Sequence, residues 1–241
     1  MEPDQYITAG EFIDSGDAEV GKFARNASSG VGDDVSRAVK LYYAVRDEIL
    51  YDPYYGGEER RYFRASDCLR AKRGFCIPKA ALLAAAARSI GIPARVAYAD
   101  VRNHLSTKRL LELMGGDLFI WHSFTELYLE DRWVKATPAF NLSLCQRFGV
   151  HPLEFDGRHD SLFHEFDREG RRHMEYVRER GNYSDVPFEE IITDFKKTYP
   201  RWMTLVSKRK RGNFAQKRRA KAAKTADPAS LYLTKFPRHD H

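Results

Sequence analysis

Gly74-Phe75-Cys76-Ile77-Pro78-Lys79 runs without a break into the alanine-rich stretch Ala80 to Ile90, and this segment decides the fold. Apolar residues occupy nearly every side of it, Pro78 falls in the first turn, Arg88 in the last, and Gly91 stops it. A helix that is apolar all round belongs in the middle of a molecule. A cysteine stands where the loop enters this helix, and the dipole and unsatisfied N–H groups of a first turn favour a thiolate there. Free cysteine is just as often a small buried hydrophobe, so Cys76 needs a partner before it carries chemistry.

Downstream, Ala94 to Val101 is a β-type run and Ser106 to Met114 a short amphipathic helix. Phe119 to Leu129 alternates as a strand, and Glu130, Asp131 and Arg132 turn it into a second strand from Trp133 to Thr137. Upstream, Asp33 or Asp34 can cap a helix reaching about Leu50, which the Asp52-Pro53 and Gly56-Gly57 steps break before an Arg-rich loop leads to Ser66. The first 30 residues read as irregular structure or a short helix laid on the surface. Asn141 to Pro200 reads as helical and loop elaboration with a helix at Phe188 to Lys197. A central helix followed by an antiparallel hairpin is an α+β pattern. The expected organisation is one domain over residues 1–200, with its core at 66–141, and a basic C-terminal tail over 201–241.

The formal charge of +6 over 241 residues is concentrated at one end: from Lys208 onward the balance is +9, leaving −3 for the body. The tail could attract nucleic acid weakly through its charge, but Phe214 is the only aromatic within its basic run from Lys208 to Lys224, so base stacking has little support. The longest apolar stretch, Ala80 to Ala87, is too short to span a bilayer, and the acidic opening does not read as a secretory signal. Cys68, Cys76 and Cys145 are an odd set without Cys-x-x-Cys spacing, which fits a reducing, cytoplasmic compartment and no zinc ribbon.

Three motifs fail on their own chemistry. Gly16-x-x-x-x-Gly21-Lys22 lacks the hydroxyl residue that would hold magnesium, Phe23 standing in its place. Gly30-x-Gly32 has Val35 where a dinucleotide fingerprint needs a third glycine. His151, His159, His164 and His173, interleaved with Asp156, Asp160 and Asp167, share no helical face, so no metal and no cofactor is expected.

The partner for Cys76 is His122, mid-strand in Trp121-His122-Ser123-Phe124. Alternation places it on one face with Phe124, Glu126 and Tyr128, and a two-residue turn brings Ala139 or Asn141 opposite it, with Thr137 close by. An orienting group from that second strand is what a thiol and imidazole couple requires.

Gly74-Phe75-Cys76, the alanine-rich helix, Ser89-Ile90-Gly91-Ile92-Pro93-Ala94-Arg95-Val96, then His122-Ser123-Phe124-Thr125-Glu126-Leu127-Tyr128-Leu129 and Arg132-Trp133-Val134-Lys135-Ala136-Thr137-Pro138 together resemble the core of the transglutaminase-like superfamily. The resemblance spans about Ser66 to Asn141. It implies a papain-like fold and a Cys, His and Asp triad acting on amide bonds, with Cys76 at the nucleophile and His122 at the base. One departure stands out: Thr137 occupies the position where the family usually has the aspartate. Asn141 could substitute for it, with Asp156 a more distant candidate. The expected activity is that of a cysteine peptidase or amidase, the Cys76 thiolate forming an acyl-thioester that water releases, with Lys79 either steadying the thiolate or solvated. The alternative is a catalytically degenerate module of the same fold that holds a peptide or protein in the same groove.

Overall fold

The computed structural model describes residues 3–163 and 165–207. Asp17 caps α1 (Ala18–Ala27), its carboxylate accepting the Glu19 and Val20 N–H groups, and Asp33 caps α2 (Asp34–Glu48) through the Ser36 N–H. α1 is more than a surface helix, because Val20 and Ala24 are fully buried and it packs on the central helix. After α2 the chain forms β1 (Leu50–Tyr51), which pairs in parallel with β2 (Arg73–Gly74) across α3 (Ala65–Ala71). Two-residue strands are too short to leave a periodic signal, and α3 begins where the Arg-rich loop was expected to end.

β2 delivers the chain to α4 (Cys76–Ser89), in which every residue from Ile77 to Arg88 is buried. Gly74 is required at this entry: a Cβ there would meet Cys68 Sγ at 2.9 Å and Pro78 Cγ at 3.0 Å. At the far end, the Arg88 guanidinium donates to the carbonyls of Ala94 (2.8 Å), Thr8 (2.6 Å) and Ser184 (2.6 Å), tying three segments together. Lys79 is neither solvated nor the partner of a thiolate. Its Nζ donates to the Arg46 carbonyl at 3.0 Å and the Ile49 carbonyl at 2.5 Å, at the C-terminal end of α2, and burial pushes its pKa down to about 7.

The main sheet contains β3 (Ala94–Asn103), β4 (Leu118–Leu129), β5 (Arg132–Ala136) and β6 (Met174–Tyr183) in the order β5-β4-β3-β6, each pair antiparallel. α5 (Lys108–Met114) is capped by Thr107 and joins β3 to β4. Glu130 and Asp131 both adopt positive φ (48° and 62°), the conformation a two-residue hairpin turn demands. The Thr125 hydroxyl donates to the Ala80 carbonyl at 2.9 Å and fastens β4 to α4. The α+β expectation is met: a buried cysteine-bearing helix packs on an antiparallel sheet.

Beyond β5 lie α6 (Leu142–Phe148), β6 and α7 (Phe188–Thr198). β6 falls where the sequence predicted helix and loop, and the physical reason is its place at the sheet edge. Edge strands carry charge that blunts further pairing, and Glu175, Arg178, Glu179 and Arg180 conceal the alternation. Residues 200–207 are helical, and Trp202, Met203 and Val206 are buried in the core. The body therefore extends past the boundary expected at residue 201. The basic run from Lys208 and His164 lie outside the described residues. Among the described residues no helix is long and apolar enough to cross a membrane.

Candidate active site

Cys76 and His122 line the same cavity, of about 90 Å³. Cys76 reaches it from the first residue of α4, with the backbone N–H groups of Ile77, Ser123 and Cys76 itself turned toward its sulfur. Ser123 lies past the end of β5, whose last pair with β4 is Thr125 with Ala136. His122 comes from the other face of β4, the face of Phe124. It is buried, its ring packs on Phe163 at 4.8 Å between centroids, and Tyr176 stands 6.4 Å away. Among the described residues His122 Nε2 has no hydrogen-bond partner, Cys76 Sγ included.

Burial decides the protonation of both groups. The sequence expectation was a thiolate favoured by the helix terminus, but desolvation outweighs the N–H groups around the sulfur and pushes the Cys76 thiol up to about 11. The same desolvation, offset by no carboxylate, lowers the His122 imidazole to about 3. The resting pair is a neutral thiol and a neutral imidazole. Cys68 and Cys145 are more deeply buried, their thiols pushed up to about 12 and about 11.

Of the three candidates for orienting His122, none hydrogen-bonds its Nε2. Continuing the β4 and β5 register sets Thr137 opposite Phe124, hence on the face of His122 and diagonal to it. Thr137 is held there by its backbone, its N–H donating to the Ser161 carbonyl (3.1 Å) and its carbonyl accepting from the Tyr42 hydroxyl (3.1 Å). Its own hydroxyl is buried beside the Tyr176 phenol. Asn141 is committed elsewhere: Oδ1 accepts the Tyr51 N–H at 3.0 Å and Nδ2 donates to Ser143 Oγ at 2.7 Å. Asp156 sits on an exposed loop, where it accepts from His159 Nδ1 at 2.7 Å and from the Arg158 and His159 N–H groups. No group of three or more His, Cys, Asp or Glu among the described residues is placed to hold a metal ion.

Directly before His122 in β4 lies a β-bulge that no local pattern announces. The β3 and β4 register slips between Ala99 and Val101, so that two residues of β4, Ile120 and Trp121, oppose Asp100. Trp121 takes a left-handed conformation at φ 59°, an uncommon one for a large side chain. The freed N–H groups are met by side chains, that of Ile120 by the Tyr199 hydroxyl at 2.5 Å and that of Trp121 by Asp100 Oδ1 at 3.1 Å. Arg180 then bridges Asp100 (2.5 Å) and Asp194 (2.9 Å), and Asp194 accepts the Trp121 indole N–H at 2.8 Å. Phe163, Tyr176, Arg180, Asp194 and Tyr199 were missed in the sequence because they come from elements whose docking beside His122 is long-range. The positive φ at a tryptophan leaves no trace in composition.

A thiol at the head of a buried helix and an imidazole from an antiparallel strand thus line one largely apolar cavity. Residues 21–138, just under half of the chain, match the family model of the transglutaminase-like superfamily. No curated protein matches the chain. Two solved structures are similar in part. One, from Cytophaga hutchinsonii, is described as a "Putative Cysteine Protease" and shares 18% identity over 55% of this chain and 40% of its own, with a TM-score of 0.42. The other, from Parabacteroides distasonis ATCC 8503, is described as a "putative protease" and shares 16% identity over 56% of this chain and 25% of its own, with a TM-score of 0.37. The chain thus spans well under half the length of either.

Proposed function

We propose that the protein is a cysteine hydrolase that cleaves an amide bond with Cys76 as nucleophile and His122 as base. The observation that carries this reading is the shared cavity, lined by His122, whose Nε2 is buried without a hydrogen-bond partner among the described residues, and by the helix-terminal thiol of Cys76. Attack of Sγ on the carbonyl would transfer the thiol proton to His122 as the S–C bond forms, because both groups start neutral. The Cys76 N–H would help hold the oxyanion, and the imidazolium would return its proton to the leaving amine. Water, deprotonated by His122, would then release the acyl group from sulfur. A carboxylate behind the imidazole is worth a few kcal/mol in related triads, so a dyad without one turns over slowly.

Thr137 favours a second reading, a non-catalytic module of the same fold that holds a peptide in the cavity. Amide hydrolysis by purified full-length protein separates the two. A hydrolase loses activity on Cys76→Ala and on His122→Ala, and its kcat/KM stays level between about pH 5 and 9, a window set by two groups that remain neutral across it. Activity that survives Cys76→Ala would end the hydrolase reading. Iodoacetamide is expected to modify Cys76 ahead of the more deeply buried Cys68 and Cys145.

A further inference from the structure

Resting on the hydrolase reading, we propose that the cavity is a selective subsite: the amide it accepts carries a compact aliphatic side chain next to the scissile carbonyl, and charged side chains are refused. The wall is made of apolar and aromatic groups such as Val101, Leu110, Met114, Phe119, Phe163 and Met174, and among the described residues no aspartate, glutamate, lysine or arginine lines it. An ionised side chain entering this space would shed its water and find no opposite charge. His122 lines this space as well, its buried Nε2 without a hydrogen-bond partner among the described residues.

Size narrows the class further. The cavity measures about 90 Å³, smaller than the apolar cavity of about 150 Å³ that holds benzene in an engineered protein. A valyl or leucyl side chain fits this volume, and a phenyl ring requires the walls to move.

The cavity continues into a second groove of about 290 Å³, with which it shares Tyr51, Pro53, Asn103, Leu110 and Phe140. That outer groove differs in chemistry, since Asp52, Arg147 and His173 line it. Asp52 is already engaged, accepting the Tyr54 N–H at 2.9 Å and standing 3.6 Å from Arg73. Selectivity therefore resides in the inner cavity, and the outer groove tolerates polar neighbours along the substrate.

The test uses full-length protein and N-acetyl aminoacyl coumarylamides of valine, leucine, phenylalanine, lysine and glutamate. The valyl and leucyl amides are expected to exceed the lysyl and glutamyl amides in kcat/KM by at least about 100-fold, and the phenylalanyl amide by about 10-fold, in the range of pocket discrimination by size and charge. Met174→Ala enlarges the inner wall and is expected to raise the phenylalanyl-to-valyl ratio about 10-fold; Leu110→Ala makes the same test on α5 if the first variant fails to fold. Equal cleavage of valyl and lysyl amides overturns the proposal. If the protein cleaves none of the five, the hydrolase reading fails, and the subsite is judged by tryptophan-fluorescence titration with the same amides. Valyl and leucyl binding about 100-fold tighter than lysyl and glutamyl sustains it, and equal affinities, or no saturable binding up to about 1 mM, overturn it.

Discussion

Replacing His122 by phenylalanine turns the burial of the imidazole into a measurable pH dependence. The substitution keeps a ring against Phe163 and removes the titrating group. In the unfolded chain the imidazole takes up a proton near 6.5, while in the folded protein burial holds its pKa at about 3. Between these values the unfolded state binds more protons, so stability falls as pH drops through 6.5, and the loss is complete only near 3. At pH 5 the unfolded imidazole lies 1.5 units above the solution pH, and at about 1.36 kcal/mol per unit the loss is about 2 kcal/mol. Wild type should therefore lose about 2 kcal/mol relative to His122→Phe between pH 7 and pH 5, read from paired urea denaturation curves. Titrations elsewhere in the molecule are common to both proteins and cancel in the difference. A constant gap between the two proteins would refute the neutral-imidazole argument. A gap of opposite sign, wild type gaining as pH falls, would mean that His122 is held charged beside a Cys76 thiolate.

Installing the missing carboxylate with Thr137→Asp should draw the His122 pKa upward from about 3 toward its ordinary value and raise amide turnover about 10- to 100-fold; an imidazole NMR titration that does not move would contradict the diagonal placement of Thr137. Arg180→Ala leaves Asp100 buried without its guanidinium and should cost about 3–5 kcal/mol of unfolding free energy, with Arg180→Lys recovering only part because one ammonium cannot bridge Asp100 and Asp194; a loss under about 1 kcal/mol would mean the bulge does not depend on this bridge. Lys79, with a folded pKa of about 7 against 10.5 in the unfolded chain, binds fewer protons folded than unfolded between those values, so stability rises with pH there. Wild type should gain about 2–3 kcal/mol on Lys79→Met from pH 7 to pH 9, and parallel stability curves for the two proteins would count against the lowered pKa of Lys79.

Much of the frame was legible because its signals are local. The all-round apolar run of α4, the aspartate caps of α1 and α2, and the Glu130-Asp131 turn each depend on residues within a few positions of one another. β6 was not legible, since an edge strand dense in arginine and glutamate pairs with β3 from about 80 residues away and has no pattern of its own. The 200–207 helix was hidden by the basic composition that follows it, although Trp202 and Met203 were the residues that could have marked it as packed.

The linear chain by itself determined that a cysteine would head a buried helix and that a histidine would sit in the strand of a hairpin behind it, since spacing, turn chemistry and apolar pattern need no distant partner. Tertiary structure alone decided the chemical state of those groups. Whether a helix terminus lowers a thiol or burial raises it depends on how much water the surrounding walls exclude, and here Phe163, Trp202 and their neighbours exclude enough for burial to win. The fates of Asn141, taken by Tyr51 and Ser143, and of Lys79, drawn under α2, were settled in the same way, by partners that folding brings from far along the chain.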